Sequence, residues 1–422
     1  MLQQLEGSQA IARAVALARP QVISAYPISP QTHIVETLSR MVKDGHLQGC
    51  EYLNVESEFA AMSASIGASA AGARSYTATA SQGLLFMVEA VYNASGLGLP
   101  IVMTVANRAI GAPINIWNDH SDAMSQRDSG WIQLYAEDNQ EALDLHIQAF
   151  RLAEEVSLPV MVCMDGFILT HAFEEVALPT QEQVDEFLPP FDPQQVLDPA
   201  EPVSIGAMVG PEAFTEVRYL AHAKQMQALD TIPRISEEYA RITGRHSGGL
   251  VDEYLTDDAD TIIIALGSVL GTLKDVVEGL RAQGQPVGVL GLKSFRPFPS
   301  QAVRDAIGSG KRVVVLEKAL AVGIGGIVSE NVHTALAGLP GTTSTVIAGL
   351  GGRPITQDSL RDMITAARND ELPQLSFLDL KVELVERELE RAREQRRSGP
   401  TPENLLRDIG QVSGPEAFGA TP

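Results

Sequence analysis

Cysteine is scarce in this chain of 422 residues, which contains only Cys50 and Cys163. The two lie far apart in the sequence, and neither belongs to a C-x-x-C pair. Iron–sulfur clusters and cysteine-rich zinc sites need several thiolates at close spacing. The chain therefore cannot bind such a cluster or such a zinc site on its own.

The chain also has few basic residues and lacks long apolar runs. The chain has 31 Lys and Arg against 53 Asp and Glu, a formal net charge of −22 that is spread along the sequence. Nucleic acids and anionic membranes attract basic surfaces, so this charge argues against both as partners. No run reaches about 18 uninterrupted apolar residues, and the N-terminus lacks the features of a signal peptide. We expect a cytoplasmic protein without a membrane span.

Several catalytic signatures are absent as well. The sequence has no G-x-x-x-x-G-K-[ST], no G-x-S-x-G and no H-E-x-x-H, so NTPase and hydrolase functions lose their usual support. Two glycine-rich segments, 323–326 and 349–354, follow predicted strands without completing the dinucleotide-binding fingerprint. They favour tight turns or a subunit contact.

The sequence does contain a repeated alternation of short apolar runs and helical patterns, which predicts an α/β fold with parallel sheets. In the first half we expect strands at 21–25, 74–78, 100–106 and 159–164, and helices at 8–18, 32–44, 57–71, 84–95 and 139–156. After a proline-rich break and a helical segment at 211–245, a second alternation has predicted strands at 261–265, 286–290, 312–316 and 343–347. An amphipathic helix is expected at 380–397, followed by an extended tail from Ser398.

These patterns predict four regions. A doubly wound domain covers residues 1–190, a linker with a helical segment covers 191–257, and a smaller α/β domain covers 258–370. The C-terminal helix and tail cover 371–422.

Polar residues cluster where predicted strands of the first domain end, and such loops bind ligands in open α/β sheets. In the first such loop, residues 26–32, two prolines fix the turn around Ser29, although this Ser could simply cap the next helix. Glu58 opens a helix of small residues, either as an ordinary first-turn acid or as a functional carboxylate.

Two further loops follow predicted strands. Ser81 and Gln82 lie in a loop that offers amides and hydroxyls to a ligand, or merely caps a helix. Arg108 stands at a strand end and could hold a substrate carboxylate or form a surface ion pair. The long polar loop that follows contains Asp119, His120 and Asp122, which look superficially like metal ligands, but hard-cation and zinc sites need more ligands in a better-defined geometry. We expect no metal on this chain.

Taken together, these blocks resemble the α subunit of the 2-oxoacid:ferredoxin oxidoreductases, closest to the pyruvate synthase branch. The resemblance runs from about residue 5 to residue 390 and rests on seven blocks, which are residues 26–32, 55–61, 77–84, 106–120, 127–132, 137–141 and 293–299. It implies a pyrimidine-binding thiamin diphosphate domain followed by a domain like the C-terminal domain of transketolase.

The resemblance also implies roles for individual residues. Glu58 would hydrogen-bond N1′ of the aminopyrimidine, and Arg108 and Ser29 would act on the 2-oxoacid. The remaining implied contacts are Pro27, Ile28, Ser81 and Gln82 for the cofactor and Asn115 and Trp117 for the substrate. Ser29, Phe59 and Ala80 depart from the family's common residues, so pyruvate is the first expectation and a bulkier acid, such as phenylglyoxylate or a branched-chain 2-oxoacid, is the alternative.

The thiamin enzymes' G-D-G…N motif for Mg²⁺ and diphosphate is absent from this chain. The resemblance therefore implies a β subunit that carries Mg²⁺, the diphosphate half of the site and a [4Fe-4S] cluster. It implies γ and δ subunits, or fused equivalents, for coenzyme A contacts and further clusters, with ferredoxin or another electron acceptor reached through them. A non-oxidative thiamin enzyme and a non-catalytic assembly subunit stay open as alternatives.

Overall fold

The computed structural model describes residues 2–395, 402–411 and 418–420. The strands are β1 Leu2–Glu6, β2 Val22–Ala25, β3 Glu51–Asn54, β4 Ser75–Thr79, β5 Ile101–Asn107, β6 Ile132–Tyr135, β7 Val160–Asp165, β8 Phe173–Ala177, β9 Val251–Tyr254, β10 Thr261–Ala265, β11 Val287–Leu292, β12 Ser294–Arg296, β13 Lys311–Glu317, β14 Gly341–Ile347, β15 Leu375–Leu378 and β16 Phe418–Ala420. The α-helices are α1 Gly7–Leu17, α2 Thr32–Lys43, α3 Glu58–Ala70, α4 Ser81–Phe86, α5 Val88–Gly96, α6 Ser121–Ser125, α7 Asn139–Val156, α8 Gln181–Phe187, α9 Phe214–Thr243, α10 Val269–Arg281, α11 Ser300–Ile307, α12 Val328–Leu336, α13 Gln357–Arg368, α14 Val382–Gln395 and α15 Pro402–Asp408. No helix within these residues is long and apolar enough to cross a bilayer.

The first sheet has seven strands in the order β12-β6-β7-β5-β4-β2-β3. All its pairings are parallel except that of β12 with β6. Every residue of β4, β5, β6 and β7 is buried, because helices cover both faces of the sheet. The carboxyl ends of the parallel strands thus meet along one edge.

The helix that carries Glu58 sits tightly on this sheet. Ser57 caps α3 by accepting the N–H of Ala60 at 3.2 Å. The hydroxyl of Ser24 on β2 donates to the Ala61 carbonyl at 2.7 Å and lies 2.7 Å from the hydroxyl of Ser65. The small residues of α3 permit this close approach, which fixes the first turn of the helix at the sheet edge.

The second sheet also has seven strands within the described residues, in the order β16-β15-β14-β13-β10-β11-β9. Its central strands are parallel, and β9 and β16 are antiparallel edges. The two sheets are physically joined, since β12 follows β11 of the second sheet by one residue and pairs with β6 of the first. Between β11 and β12, the Lys293 ammonium donates to Glu141 at 2.7 Å and to Glu137 at 3.1 Å.

The predicted α/β class is confirmed, and all eight expected strands are present within two residues of their expected bounds. The helix expected at 84–95 is wrong as a single element, since α4 and α5 meet at Met87. The extended tail is also wrong at 402–408, which form α15. Residues 398–401, 412–417 and 421–422 of that tail lie outside the described residues. The domain boundaries stay predictions.

Candidate active site at the sheet edge

Four of the predicted site residues lie at the carboxyl edge of the first sheet. Ser29, Ser81 and Arg108 follow β2, β4 and β5, which are neighbours in the sheet, and Glu58 begins α3 after β3. Parallel strands deliver their following loops to one edge, where open α/β sheets bind ligands.

Glu58 is a buried residue, with only 7% of its surface exposed. Within the described part of the chain it makes no hydrogen bond or ion pair. The hydroxyl of Thr79 beside it is also buried without a partner. A Cβ on Gly83 would lie 2.6 Å from both Oε1 of Glu58 and Oγ1 of Thr79, so only glycine lets these two side chains pack this closely against the backbone. Two neighbouring oxygens without partners among the described residues suit a ligand that donates hydrogen bonds.

Ser81 is held in place by its backbone and its hydroxyl. It adopts a left-handed conformation, with φ of 50°, and its N–H donates to Asp122 at 2.9 Å. Its hydroxyl has one proton to donate and lies against two acceptors, the Ala109 carbonyl and the side-chain oxygen of Gln82. Gln82 in turn donates to the Gly111 carbonyl at 3.3 Å. The Ser81 loop is thereby tied to the loop that follows β5.

Arg108 brings the predicted substrate-binding residues together. Its side chain is buried, and Nη1 donates to the carbonyl of Ser29 at 2.9 Å while Nε donates to the carbonyl of Asn115 at 3.3 Å. Nη2 makes no hydrogen bond with the residues that the structure describes. Burial lowers the pKa of Arg108, and the nearby Asp122 carboxylate opposes this effect. The guanidinium therefore has its Nη2 available to bind an anion.

Ser29 itself is exposed, and its hydroxyl makes no hydrogen bond within the described residues. Pro27 is exposed and Ile28 is half-buried in the same loop.

The loop that contains Asn115 and Trp117 rests on the second α/β unit. Asn115 donates to the carbonyl of Gly351 at 3.1 Å and accepts the N–H of Trp117 at 2.8 Å. A Cβ on Gly352 would lie 2.5 Å from the Cβ of Trp117, whose residue is 55% exposed. The glycine-rich segment 349–354 thus forms a turn and a contact with the loop after β5.

The other glycine-rich segment is a closed turn. The carboxylate of Glu317 accepts the backbone N–H groups of Ile327 and Val328 at 2.7 and 2.8 Å. A Cβ on Gly326 would lie 2.0 Å from Glu317. The start of α12 is therefore occupied by an internal carboxylate, which agrees with the expected tight turn.

Asp122 organises this edge, a role that the sequence analysis missed. Its Oδ2 accepts the N–H of Ser81 and the N–H of Arg108, both at 2.9 Å, and its Oδ1 accepts from Asn107 at 2.9 Å and from the N–H of Ala123 at 2.8 Å. Burial raises the pKa of Asp122 to about 6, although these hydrogen bonds favour the ionised form. One carboxylate thus fixes both loops.

Asp119, His120 and Asp122 all have partners within the protein. Asp119 accepts the N–H groups of Ser121 at 3.0 Å and Gly351 at 3.1 Å, and His120 lies 2.6 Å from Asp165. Among the described residues, the potential metal ligands that come together are Glu6, His33 and His171, with ligand atoms within 4.8 Å of one another. They lie beside the β1 and β8 pair, where Glu6 and His33 already share a 2.6 Å contact.

Asp165, at the end of β7, connects the two α/β units. Its carboxylate accepts from Lys318 at 2.8 Å and from the hydroxyl and N–H of Ser268, and it also contacts His120. Burial alone would raise the pKa of Asp165, but the Lys318 ammonium and His120 outweigh burial and lower it. This buried cluster fixes the second unit under the loop after β5.

Comparisons with known proteins agree with this architecture. The chain matches the thiamine diphosphate-binding domain of pyruvate flavodoxin/ferredoxin oxidoreductases at residues 13–240 and core domain II of pyruvate:ferredoxin oxidoreductase at residues 259–360. It is 49% identical to pyruvate synthase subunit PorA of Methanosarcina barkeri, over 90% of this chain and 97% of that protein. It is 41% identical to ketoisovalerate oxidoreductase subunit VorA of Pyrococcus abyssi, over 85% of this chain and 91% of that protein.

Among solved structures, the chain is similar to 2-oxoglutarate:ferredoxin oxidoreductase from Magnetococcus marinus. The TM-score is 0.66 at 20% identity, over 87% of this chain and 65% of that one, which shows a shared fold. The expected resemblance is confirmed. The chain belongs to the pyruvate flavodoxin/ferredoxin oxidoreductase family and is an α-type subunit of a thiamin diphosphate-dependent 2-oxoacid:ferredoxin oxidoreductase.

Proposed function

We propose that this chain holds the aminopyrimidine half of thiamin diphosphate in a complex that converts pyruvate and coenzyme A reversibly to acetyl-CoA, CO₂ and a proton, with two electrons passed to an acceptor. The observation that carries the proposal is the carboxylate of Glu58, a buried residue at the sheet edge, which has no partner among the described residues and lies against Gly83. A carboxylate in such a place gains from a ligand that donates a hydrogen bond to it.

Glu58 acts on the cofactor through one hydrogen bond. With thiamin diphosphate bound, the Glu58 carboxylate would accept a hydrogen bond from protonated N1′ of the aminopyrimidine and so would hold the ring in a form that can act as a base. Thr79 offers a further polar contact to the ring, and Pro27, Ile28, Ser81 and Gln82 form the surrounding loops. When bound, thiamin diphosphate supplies the carbanion chemistry of the decarboxylation.

Arg108 and Ser29 bind the 2-oxoacid. The free Nη2 of Arg108 pairs with the substrate carboxylate, while the bonds from its other nitrogens to the carbonyls of Ser29 and Asn115 fix the plane of the guanidinium. The exposed hydroxyl of Ser29 contributes a second hydrogen bond, and Trp117 lines the entrance.

Pyruvate is the proposed substrate. Relatives named for pyruvate and for ketoisovalerate lie at 49% and 41% identity, so sequence similarity favours the smaller acid. Phe59 adds apolar surface next to Glu58 and is 40% exposed. With Ser29 and Ala80 it forms the set of positions that decides between pyruvate and a bulkier 2-oxoacid.

The complex that we propose includes a β subunit with Mg²⁺, the diphosphate-binding residues and a [4Fe-4S] cluster, together with γ and δ functions. Exposed apolar side chains near the candidate site support a partner there, because such groups normally lie in contacts. They are Leu53, Phe59, Phe86 and Trp117, each at least 40% exposed. Electrons leave through clusters of the partners to ferredoxin or another acceptor, and we propose that the complex is cytoplasmic.

Reduction of benzyl viologen by the native co-purified complex tests this proposal. The assay uses coenzyme A with pyruvate, 2-oxobutyrate, 2-oxoisovalerate, 2-oxoglutarate and phenylglyoxylate in parallel. We expect dominant turnover of pyruvate, with thiamin diphosphate, iron and acid-labile sulfide in the complex. A complex without iron and sulfide would instead indicate a non-oxidative thiamin enzyme. A cofactor-loaded complex that turned over none of these acids would refute the activity.

A further inference from the structure

A cavity of about 410 Å³ lies away from the candidate active site. It is bounded by the loop of residues 127–131, by α9 and by the turn at residues 296–298. Trp131 and Leu158 line it and stand just before β6 and β7, at the amino ends of these strands. Because the strands are parallel, the cavity opens on the opposite edge of the sheet from Ser81 and Arg108.

The cavity is positively charged, although the chain as a whole carries a net charge of −22. Its lining includes the guanidinium groups of Arg127, Arg218 and Arg296 and a single carboxylate, that of Asp128. The Arg127 and Asp128 side chains lie 3.8 Å apart. Among these four side chains, two positive charges remain in excess.

Arg296 is fixed in the cavity wall without a carboxylate partner. Its Nε donates to the Arg127 carbonyl at 3.0 Å, and Nη1 donates to the Phe295 carbonyl at 2.9 Å and to Asn331 at 3.2 Å. No hydrogen bond to Nη2 and no ion pair to Arg296 occurs within the described residues. The guanidinium also stacks on the ring of Phe295, with its carbon 4.3 Å from the ring centre.

A fixed, half-buried cation without a counter-charge costs free energy that an external anion would recover. Burial lowers the pKa of Arg296, with the Asp128 charge opposing, which agrees with an incompletely neutralised site. Arg218 projects from α9 on the other side and has no hydrogen bond or ion pair within the described residues. Two unpaired guanidinium groups thus line one cavity, and such planar donors match the geometry of carboxylate and phosphate oxygens.

We propose that this cavity is a binding site for an oxyanion, a phosphate or carboxylate group attached to a flat apolar body. The guanidinium groups of Arg218 and Arg296 hold the anionic group, and the apolar side chains of Leu158, Met226 and Phe298 contact the body. The volume falls within the range of small-molecule sites. This site goes beyond the proposed reaction and does not depend on it.

Isothermal titration calorimetry at low ionic strength tests the proposal with two probes, inorganic pyrophosphate and ADP. Each probe is titrated into the full chain and, separately, into the native complex. We expect both probes to bind the full chain, ADP more tightly because its base covers the apolar lining. Arg218→Gln should weaken binding at least about fivefold, and the double variant with Arg296→Gln at least about tenfold.

Arg241→Gln is the matched control, since Arg241 lies on the same helix, is 70% exposed and is outside the cavity. Arg218 makes no contact that folding requires, so its variant keeps the test valid if Arg296→Gln misfolds. Arginine-dependent binding to the chain that is absent from the complex would assign the oxyanion to an acidic side chain of a partner subunit. The proposal would be overturned if neither probe bound the full chain. It would also be overturned if Arg241→Gln weakened binding as much as Arg218→Gln does.

Discussion

Replacing Asp122 by Asn removes the charge that joins the Ser81 and Arg108 loops while keeping the shape of the side chain. In the native chain, one carboxylate oxygen accepts both loop N–H groups at 2.9 Å. The Asn side chain can present its oxygen to these two groups, but its nitrogen then faces the N–H of Ala123, which loses its acceptor. Hydrogen bonds to a charged group contribute about 1.5–3 kcal/mol each and those to a neutral group about 0.5–1.5 kcal/mol, so each loop N–H bond weakens by about 1 kcal/mol or more.

Stability and activity should respond differently to this change. The raised pKa of Asp122, from its ordinary value of 3.8 to about 6, corresponds to about 3 kcal/mol at 1.36 kcal/mol per pKa unit. Since the pKa is raised, folding favours the protonated form, and this contribution to the free energy of unfolding is lost as pH rises from about 4 to 6. At pH 7, Asp122→Asn removes the cost of keeping an ionised carboxylate buried, and this gain offsets the weakened hydrogen bonds. The free energy of unfolding should therefore change by less than about 2 kcal/mol.

The KM for pyruvate should nevertheless rise about tenfold in Asp122→Asn, because about 1.4 kcal/mol of loop positioning is a factor of ten. In the native complex, kcat/KM should fall as pH drops through about 6, as Asp122 becomes protonated and its hold on the loops weakens. The groups around Asp122 that bear on this titration are Arg108, Tyr135 and Cys163. The assay is the pH profile of benzyl-viologen reduction, with unfolding followed by circular dichroism. The reasoning would be refuted if Asp122→Asn kept the native KM and showed the same fall of kcat/KM at acidic pH as the native complex.

Three further substitutions test other parts of the site. Gly83→Ala should abolish activity and weaken thiamin diphosphate binding, measured by fluorescence titration, because its Cβ would lie 2.6 Å from the Glu58 carboxylate and displace it; native affinity would contradict the role of Glu58 in holding the cofactor. Arg108→Lys keeps the charge but loses the planar guanidinium with its paired N–H donors. The KM for pyruvate, measured by steady-state kinetics, should therefore rise at least about tenfold with little change in melting temperature; an unchanged KM would remove Arg108 from the substrate site. Lys318→Met leaves the buried Asp165 carboxylate without its ammonium partner and should lower the free energy of unfolding by about 3–5 kcal/mol in denaturant titration; a change below about 1 kcal/mol would show that the cluster does not hold the two units together.

The strands that the sequence predicts well are those buried on both faces. β5 and β7 consist of buried residues throughout, so their apolar runs are unambiguous. The strands that escaped prediction are short or half-exposed, such as β3, with no residue buried, and β8, with one. β12 has three residues and pairs with β6 of the first sheet, although it follows β11 of the second sheet, and no local pattern encodes such a contact.

Site residues next to a local sequence pattern could likewise be found from the sequence, whereas those that act through distant contacts could not. The places of Ser29, Ser81 and Arg108 at the sheet edge were predictable, because each lies in a loop that follows an apolar run, and their roles stay predictions. Asp122 was not identified as the link between two loops, because its partners lie 14 and 41 positions away in the sequence. Asp165 likewise acts through Lys318, which is 153 positions distant.

The central claim, that Glu58 binds the cofactor's aminopyrimidine for catalysis, is tested most directly by Glu58→Gln in the native complex. The amide keeps the size of the side chain, and Glu58 has no partner among the described residues to lose, so assembly should be unchanged by gel filtration. Benzyl-viologen reduction with pyruvate and coenzyme A should fall at least about a hundredfold, since the variant loses the charged acceptor for N1′. Native turnover in an intact variant complex would contradict this account and indicate a non-catalytic assembly subunit.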